Sequence, residues 1–404
     1  MRLTAGLDSL REDARYALRS LRRAPLFTLT ALVILALGTG VASGLFGAVH
    51  HLLVVPYDVR GRERLVMVTD RVALRPEMRG STSAARFRAY RRAGSLEQLE
   101  AYTFDGAVLQ TGGGSESLVA SRITPDLYRV VGVPMRAGRG LQAADARPGA
   151  PATALVSERF VRAHLAGDFA AAPGHTIRLD GVPTTIVGVV PTACELPVGT
   201  DVWRPLVLDA AAIEDRASRT LTAVGRLRPG ATLGAAREEI AAIALAESRG
   251  FPTTDRGLEP RVQSLGRGVM DAISPMFETV TCIAVALTLL VVAANLAGLQ
   301  LARGAARRRE WAVRAAIGAT PARLARQSLV ESLILTGAGG LAGLWVARLT
   351  LDVVLGSVPP TMTRFIPGWS AIGMDGALVA YALAVTAGTG LALGLAPALH
   401  AGRA

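Results

Sequence analysis

The chain contains no lysine; all 44 of its basic residues are arginine. A phosphate-binding P-loop requires a lysine at a fixed place after its glycines. That motif is therefore excluded, and any ATP-driven work must come from a partner. Cysteine is almost as scarce, with only Cys194 and Cys282. One falls in a polar stretch and the other inside an apolar run, so neither a disulfide framework nor a cysteine-based metal cluster is available. The five histidines (His50, His51, His164, His175 and His400) follow no metal-ligand spacing, and His50–His51 at the end of an apolar run reads as an interfacial anchor. A nucleophile elbow, an HExxH pair and a paired-carboxylate motif are all missing. The glycines at 112–114 lie between strand signals and read as a loop, not a phosphate cradle. No enzymatic activity, cofactor or metal is expected. Aromatics make up only 5% of residues, so the 50% apolar content is mostly Ala, Leu and Val. Such a composition suits helices packed closely in lipid.

What is present is a set of long uncharged runs around one polar region. The runs are Leu26–Val55, Thr279–Ala302, Ser332–Ala347 (extending with interruptions to Val358) and Gly376–Leu399. A spanning helix needs about 20 apolar residues. The sequence predicts spans over 26–55, 279–302, 332–358 and 376–399. The first is too long for the core of a cleaved signal peptide. Arg348 and Asp352 interrupt the third run four residues apart. They can pair on one helical face near its outer end; the other reading is a charged relay in a transport path.

Arginine bias in short loops sets orientation. The leader 1–25 and the loop 303–330 are arginine-rich, whereas 357–375 carries only Arg364. Both rich segments are expected in the cytoplasm, with both termini, which leaves 56–275 extracytoplasmic. This topology also explains the net charge of +12, so no nucleic-acid partner is expected. Leu7, Leu10, Ala14, Leu18 and Leu21 form an apolar stripe at helical spacing, opposite Arg11, Arg15, Arg19 and Arg22. That pattern predicts an amphipathic leader helix in the headgroup plane. Pro25 should break it before the first span.

Within the spans, Gly40 and Gly44, Gly339 and Gly343, and Gly390 and Gly394 recur at four-residue spacing. Small residues so spaced let helix backbones approach closely. Asn295, the notable polar residue of the second span, is expected to bond a neighbouring helix.

The polar region mixes signals. Strands are predicted at Arg64–Thr69, Glu100–Thr111, Glu116–Ile123, Thr153–Val156, Thr176–Leu179, Thr184–Val190 and Leu221–Leu227, and helices at Ala84–Arg92, Glu158–Leu165 and Leu233–Ala246, the last capped by Thr232. The order implies an α+β domain. The fold class is thus a four-span α-helical membrane protein with an α+β extracytoplasmic domain inserted between spans 1 and 2.

Several stretches resemble one family. They are Asp13–Pro25, Ala36–Gly38, Gly132–Arg139, Ile186–Pro191, Gly225–Gly230, Ala293–Leu299, Arg309–Ala319, Gln327–Ser332 and Gly394–Leu399. On these residues the chain resembles the MacB/FtsX-type permeases of ABC transporters, and among them the acidobacterial duplicated orphan permeases. The resemblance implies a MacB-like periplasmic core domain at 56–275, with a porter-like part (56–140 and 215–275) and an inserted lobe (141–214). It implies an FtsX-like permease domain at 276–404, in an inner membrane. It also implies a cytoplasmic ABC ATPase partner, a second permease unit (a homodimer or a missing second half) and a possible periplasmic adaptor, besides membrane lipids. ATP-driven closure of the ATPase would be relayed to the outer domain. The coupling segment 303–331 would dock the ATPase through Arg309, Glu310, Trp311, Arg314, Ile317, Gly318, Ala319 and Arg326. The plainer reading of that segment is a positive-inside stop signal; its interleaved Ala312, Val313, Ile317 and Leu324 favour docking. Trp311 stands where the family often has a smaller aliphatic residue. The alternative function is a membrane-anchored signalling or scaffold protein that recruits an envelope partner without transport.

Overall fold

The structure, a computed structural model, describes residues 2–53, 59, 61–72, 80–269, 274–316, 321–369 and 372–401; side chains at 2–10, 304–325 and 393–401 are not among those described. It divides into two compact units. One comprises Met1–His50, Met276–Pro359 and Ile372–Ala404, the other His51–Pro275 and Pro360–Ala371.

In chain order, α1 (Arg2–Arg23) and α2 (Pro25–Leu53) lead into β1 (Leu65–Val72), β2 (Thr82–Ser83), α3 (Ala84–Tyr90), β3 (Leu96–Thr111), β4 (Gly114–Ile123) and α4 (Leu127–Val131). Next come β5 (Ala137–Gly138), β6 (Thr153–Ser157), α5 (Glu158–His164), β7 (Thr176–Leu179), β8 (Val182–Val190), β9 (Val202–Pro205), α6 (Ala210–Glu214) and β10 (Arg219–Leu227). The chain continues through α7 (Leu233–Gly250), α8 (Pro252–Asp255), β11 (Leu258–Ser264), α9 (Leu265–Val269), α10 (Ser274–Ala316), α11 (Pro321–Ser357), α12 (Pro360–Thr363) and α13 (Gly376–Ala401).

In the helical unit, Pro25 ends α1 and occupies the first position of α2, where its missing N–H costs nothing. Among the described residues, three stretches have the length and composition to cross a membrane: Pro25–Leu52, Thr279–Leu299 and Arg326–Ser357. The described part of the last apolar run, Gly376–Ala392, is shorter. Glycines set the helix contacts. A Cβ on Gly40 would lie 2.7 Å from the Gly343 carbonyl oxygen, and one on Gly44 would lie 2.9 Å from Thr350. One on Gly343 would run into Thr39, one on Gly339 into Leu35 at 2.6 Å, and one on Gly390 into Thr336 at 2.5 Å. So α2 meets α11, and α11 meets α13, at backbone distance. Gly394 lies outside the residues whose surroundings are described.

The described residues add detail to three expectations in this unit. The expected coupling loop 303–331 is helical where it is described: α10 runs on to Ala316 and α11 starts at Pro321. Its Ala, Arg and Leu are strong helix formers and no proline interrupts 303–316. Asn295 is exposed on α10, where Val292 and Leu296 take the buried positions. The leader buries Asp13, Ala17, Ser20 and Leu21, while Leu18 stays 47% exposed. Its protein-packed side thus carries small and polar residues with Leu21, while Leu18 stays on the exposed side, where a headgroup-plane helix would meet lipid. Arg348 and Asp352 do pair, at 3.2 Å, with both side chains largely exposed.

The second unit is built on one eleven-stranded sheet, ordered β11-β1-β10-β3-β4-β9-β6-β8-β5, with β2 on β10 and β7 on β3 and β8. The long β3–β4 hairpin contributes to two cores. Near its base, Leu99 and Ala101 join Phe87, Val224's neighbour Ala223 and Ile240 in one core; further out, Ala107, Leu109 and Leu118 join Phe160, Ile186 and Val202 in another. Within the expected inserted lobe, β6, β8 and β9 thus share the sheet and a core with the hairpin. Asp180 and Gly181 turn β7 into β8 with positive φ (51° and 80°). This is the twist a tight hairpin needs. Thr232 caps α7 by accepting from Ala235 N at 3.1 Å.

Candidate functional site

At the arginine-rich end of the helical unit, three helices are joined by buried polar groups. Ser20 of α1 donates to Glu331 Oε1 of α11 at 3.0 Å. Arg303 of α10 donates to Ser20 Oγ at 3.0 Å and forms an ion pair with Glu331. The guanidinium also lies 4.2 Å from the centre of the Phe27 ring, a cation–π contact with the start of α2. About two turns earlier on α1, Asp13 accepts from Arg326 of α11 at 2.7 Å. Asp13, Ser20 and Glu331 are each under 9% exposed.

The physical reason for this clamp is the cost of charge at the lip of an apolar helix. Glu331 opens the apolar part of α11, and a carboxylate there needs a countercharge. Arg303 supplies it from the matching end of the apolar part of α10. A bidentate-capable, permanently charged guanidinium suits such a place better than an ammonium would. Because both side chains are nearly covered, 10% and 11% exposed, removing one strands the other, which is costly. The clamp thus ties the leader, α10 and α11 to one another.

The expected docking residues fall around it. Arg326 is a member, through Asp13. Arg309, Glu310, Trp311 and Arg314 lie on the helical continuation of α10, with side chains outside the described set. Ile317, Gly318 and Ala319 lie outside the described residues. Sequence reasoning missed Asp13, Ser20, Arg303 and Glu331. The signal was a lone acid at the mouth of an apolar run with an arginine at the mouth of the preceding one.

The cleft of the sheet unit, about 680 Å³, is lined by Val59, Gly132, Val133, Pro134, Met135, Arg136, Pro191 and Cys194. That lining holds a guanidinium and a thiol but no acid–base pair. Among the described residues no group of three metal-ligating side chains gathers. What the unit does hold is a buried ion network. Asp70 of β1 accepts twice from Arg86 of α3, at 2.8 and 3.0 Å, and also binds Thr82 and Tyr90. Asp255 accepts from Arg86 at 3.3 Å and from Arg216 at 2.6 Å, and Arg216 also reaches Glu247. Burial works against the Arg86 charge, but its bonds to Asp70 outweigh that and raise its pKa. Burial and the neighbouring Asp70 carboxylate push the Tyr90 hydroxyl up.

Two family models match the chain. The MacB-like periplasmic core domain family matches residues 28–243, and the FtsX-like permease C-terminal family matches 282–403. A search of curated proteins finds no match. Among solved structures, the chain is similar to a permease-protein domain from Porphyromonas gingivalis (17% identity, 52% of this chain and 93% of that one, TM-score 0.39). It is similar to the periplasmic region of MacB from Actinobacillus actinomycetemcomitans (13%, 54% and 95%, TM-score 0.40). It is also similar to the extracellular domain of the noncanonic ABC-type transporter YknZ from Gram-positive bacteria (13%, 49% and 99%, TM-score 0.36). With a family match over more than half its length, an α+β domain and several apolar helices, the chain belongs to the MacB/FtsX-like ABC-type permeases.

Proposed function

We propose that the chain is the permease subunit of an ABC transporter, and that it carries ATP-driven motion from a separate cytoplasmic ATPase to its extracytoplasmic domain, for efflux or envelope export. The observation that supports this most is the clamp of Ser20, Arg303 and Glu331. A stop-transfer signal needs only positive charge outside the membrane. It does not need a buried acid that locks an amphipathic leader to two spans. A lever does, since force applied to the α10 extension must move several helices as one body. In this reading both termini and the clamp face the cytoplasm, and four spans enclose the arrangement. The ATPase meets the surface around Arg309, Glu310, Trp311 and Arg314, and a second permease unit completes the transporter.

The test is purification of the tagged chain from its native membrane. Wild type is expected to bring down a Walker-motif ATPase. Glu310→Arg with Arg314→Glu is expected to lose it at least tenfold. Glu331→Arg is expected to keep the ATPase bound but uncouple its stimulation, and Arg303→Glu with Glu331→Arg to restore part of it. Retention of the partner by the 310/314 double variant would overturn the docking surface. No ATPase with wild type, together with a bound envelope hydrolase, would favour the scaffold reading.

A further inference from the structure

The chain returns to the sheet unit after leaving it. Residues 360–371 lie between α11 and α13 in sequence, yet they group with the sheet domain. After α12, Phe365 N–H donates to Met362 O at 3.0 Å and Ile366 N–H to Thr363 O at 3.1 Å, which folds the segment into a compact strap. One side chain pins it. Arg364 Nη2 donates to Gly199 O at 2.7 Å and to Asp201 Oδ2 at 2.8 Å, both in the connection from β8 to β9.

The receiving side is built for this strap. Asp201 is held centrally: its N–H donates to Val119 O at 2.7 Å, its carbonyl accepts from Ser157 N at 2.9 Å, and its Oδ1 accepts from Arg159 at 3.0 Å. Gly199 has φ of +80°, where other residues are strained, and a Cβ there would lie 2.5 Å from the Phe365 ring. Glycine is thus required on two counts: for the turn and for the ring that rests on it. Arg364 in turn lies 5.0 Å from the centre of that ring. An isolated surface ion pair is weak. This contact is half-buried, charge-assisted and shared between two fixed acceptors, and belongs to the stronger class.

The mechanical consequence follows from connectivity. The strap is covalently continuous with the end of α11 and the start of α13, and its middle is bonded to the connection just before β9. A shift of that helix pair along its axis must pull on the β8–β9 connection. We propose that residues 360–369 form a second transmission link to the extracytoplasmic domain, in addition to the direct chain connections at α2 and α10, with Arg364 as its positioning residue. This rests on the transmission role proposed above.

Hydrogen exchange of the full-length chain in nanodiscs, bound to its co-purified ATPase, tests it in two arms. Without nucleotide, Arg364→Ala is expected to speed exchange of a 357–369 peptide at least tenfold while α7 and β10 peptides keep wild-type rates. Arg364→Lys, which keeps the charge but loses the fork, is expected to fall between. Wild-type strap protection in Arg364→Ala would overturn the pin. With ATP and vanadate, wild type is expected to change protection at 199–206, and Arg364→Ala to lose that change while still hydrolysing ATP. An equal change in both would overturn the strap as a transmission link and leave the transmission role standing. No ATP-linked change anywhere in the wild-type sheet unit would overturn both.

Discussion

Arg86→Met is expected to destabilise the extracytoplasmic unit by about 3–5 kcal/mol, the range for breaking a buried ion pair from one side. Arg86 and both its carboxylate partners are fully buried. Asp70 would keep Thr82 and Tyr90 as hydrogen-bond donors but lose its only countercharge in the network. Asp255 would keep Arg216, so Asp70 bears most of the loss. It follows that Arg86→Met combined with Asp70→Leu should recover most of the stability, because an apolar pair of similar volume removes the stranded charge along with its partner. Urea unfolding of the full chain in detergent measures this through Trp203, which is fully buried in the same unit, with the other three tryptophans replaced by phenylalanine. A loss under about 1 kcal/mol, the size expected of an exposed pair, would contradict the assignment of this network as the keystone of the sheet unit.

The second large effect is on pH dependence, through Glu195. Its side chain is 4% exposed and lies 3.6 Å from Arg159. Burial pushes its pKa up from 4.5 to about 7, and the Asp201 carboxylate adds to that, against the pull of Arg159, Gly199 N–H and Arg364. A raised carboxyl pKa means that the folded state binds the proton more tightly than the unfolded chain. The stabilisation is therefore complete below about pH 4.5 and is lost as pH rises through about 7. The amount is on the order of 3 kcal/mol at one pH unit per 1.36 kcal/mol. Glu195→Gln should flatten the curve between pH 5 and 8 and leave the variant more stable than wild type at pH 8. Glu100 is also shifted up by burial, so the comparison of wild type with the variant, not the wild-type slope alone, isolates Glu195. The lowered carboxylates Asp105, Asp145 and Asp255 act on the acid side, where their stabilisation is lost as pH falls. Identical slopes for wild type and Glu195→Gln over pH 5–8 would sink this account of the cluster.

How much of this could be read from the chain depends on how local each cause is. The apolar runs announce α2, α10, α11 and α13 because lipid imposes one rule on some 20 residues in succession. Thr232 capping α7, and the β-branched alternation of β8, are equally local. The strands that escaped are β2, β5, β9 and β11. They are short, or, like β9 and β11, carry proline and charge, which β pairing tolerates at edges and strand ends. Their place is decided by partners far away in sequence, such as Val202 of β9 against Ala120 of β4. The same holds for the polar features. Arg303 and Ser20 are 283 residues apart, and Arg364 and Asp201 are 163 apart. Each alone looks like an ordinary interfacial or surface residue. Only folding shows that the arginines form clamps. The leader's true packed face was hidden for a related reason: its leucines suit lipid, so burial against protein went to the small and polar side that could be satisfied by Arg303, Arg326 and Glu331.

On the proposed topology, position 310 faces the cytoplasm and residues 56–275 lie outside it. Cysteine accessibility tests it most directly. In a chain with Cys194→Ser and Cys282→Ser, a membrane-impermeant maleimide added to spheroplasts, whose outer face is open, should label Val182→Cys at once. It should label Glu310→Cys only after the membrane is permeabilised. Labelling of position 310 from outside, or of position 182 only after permeabilisation, would contradict the account.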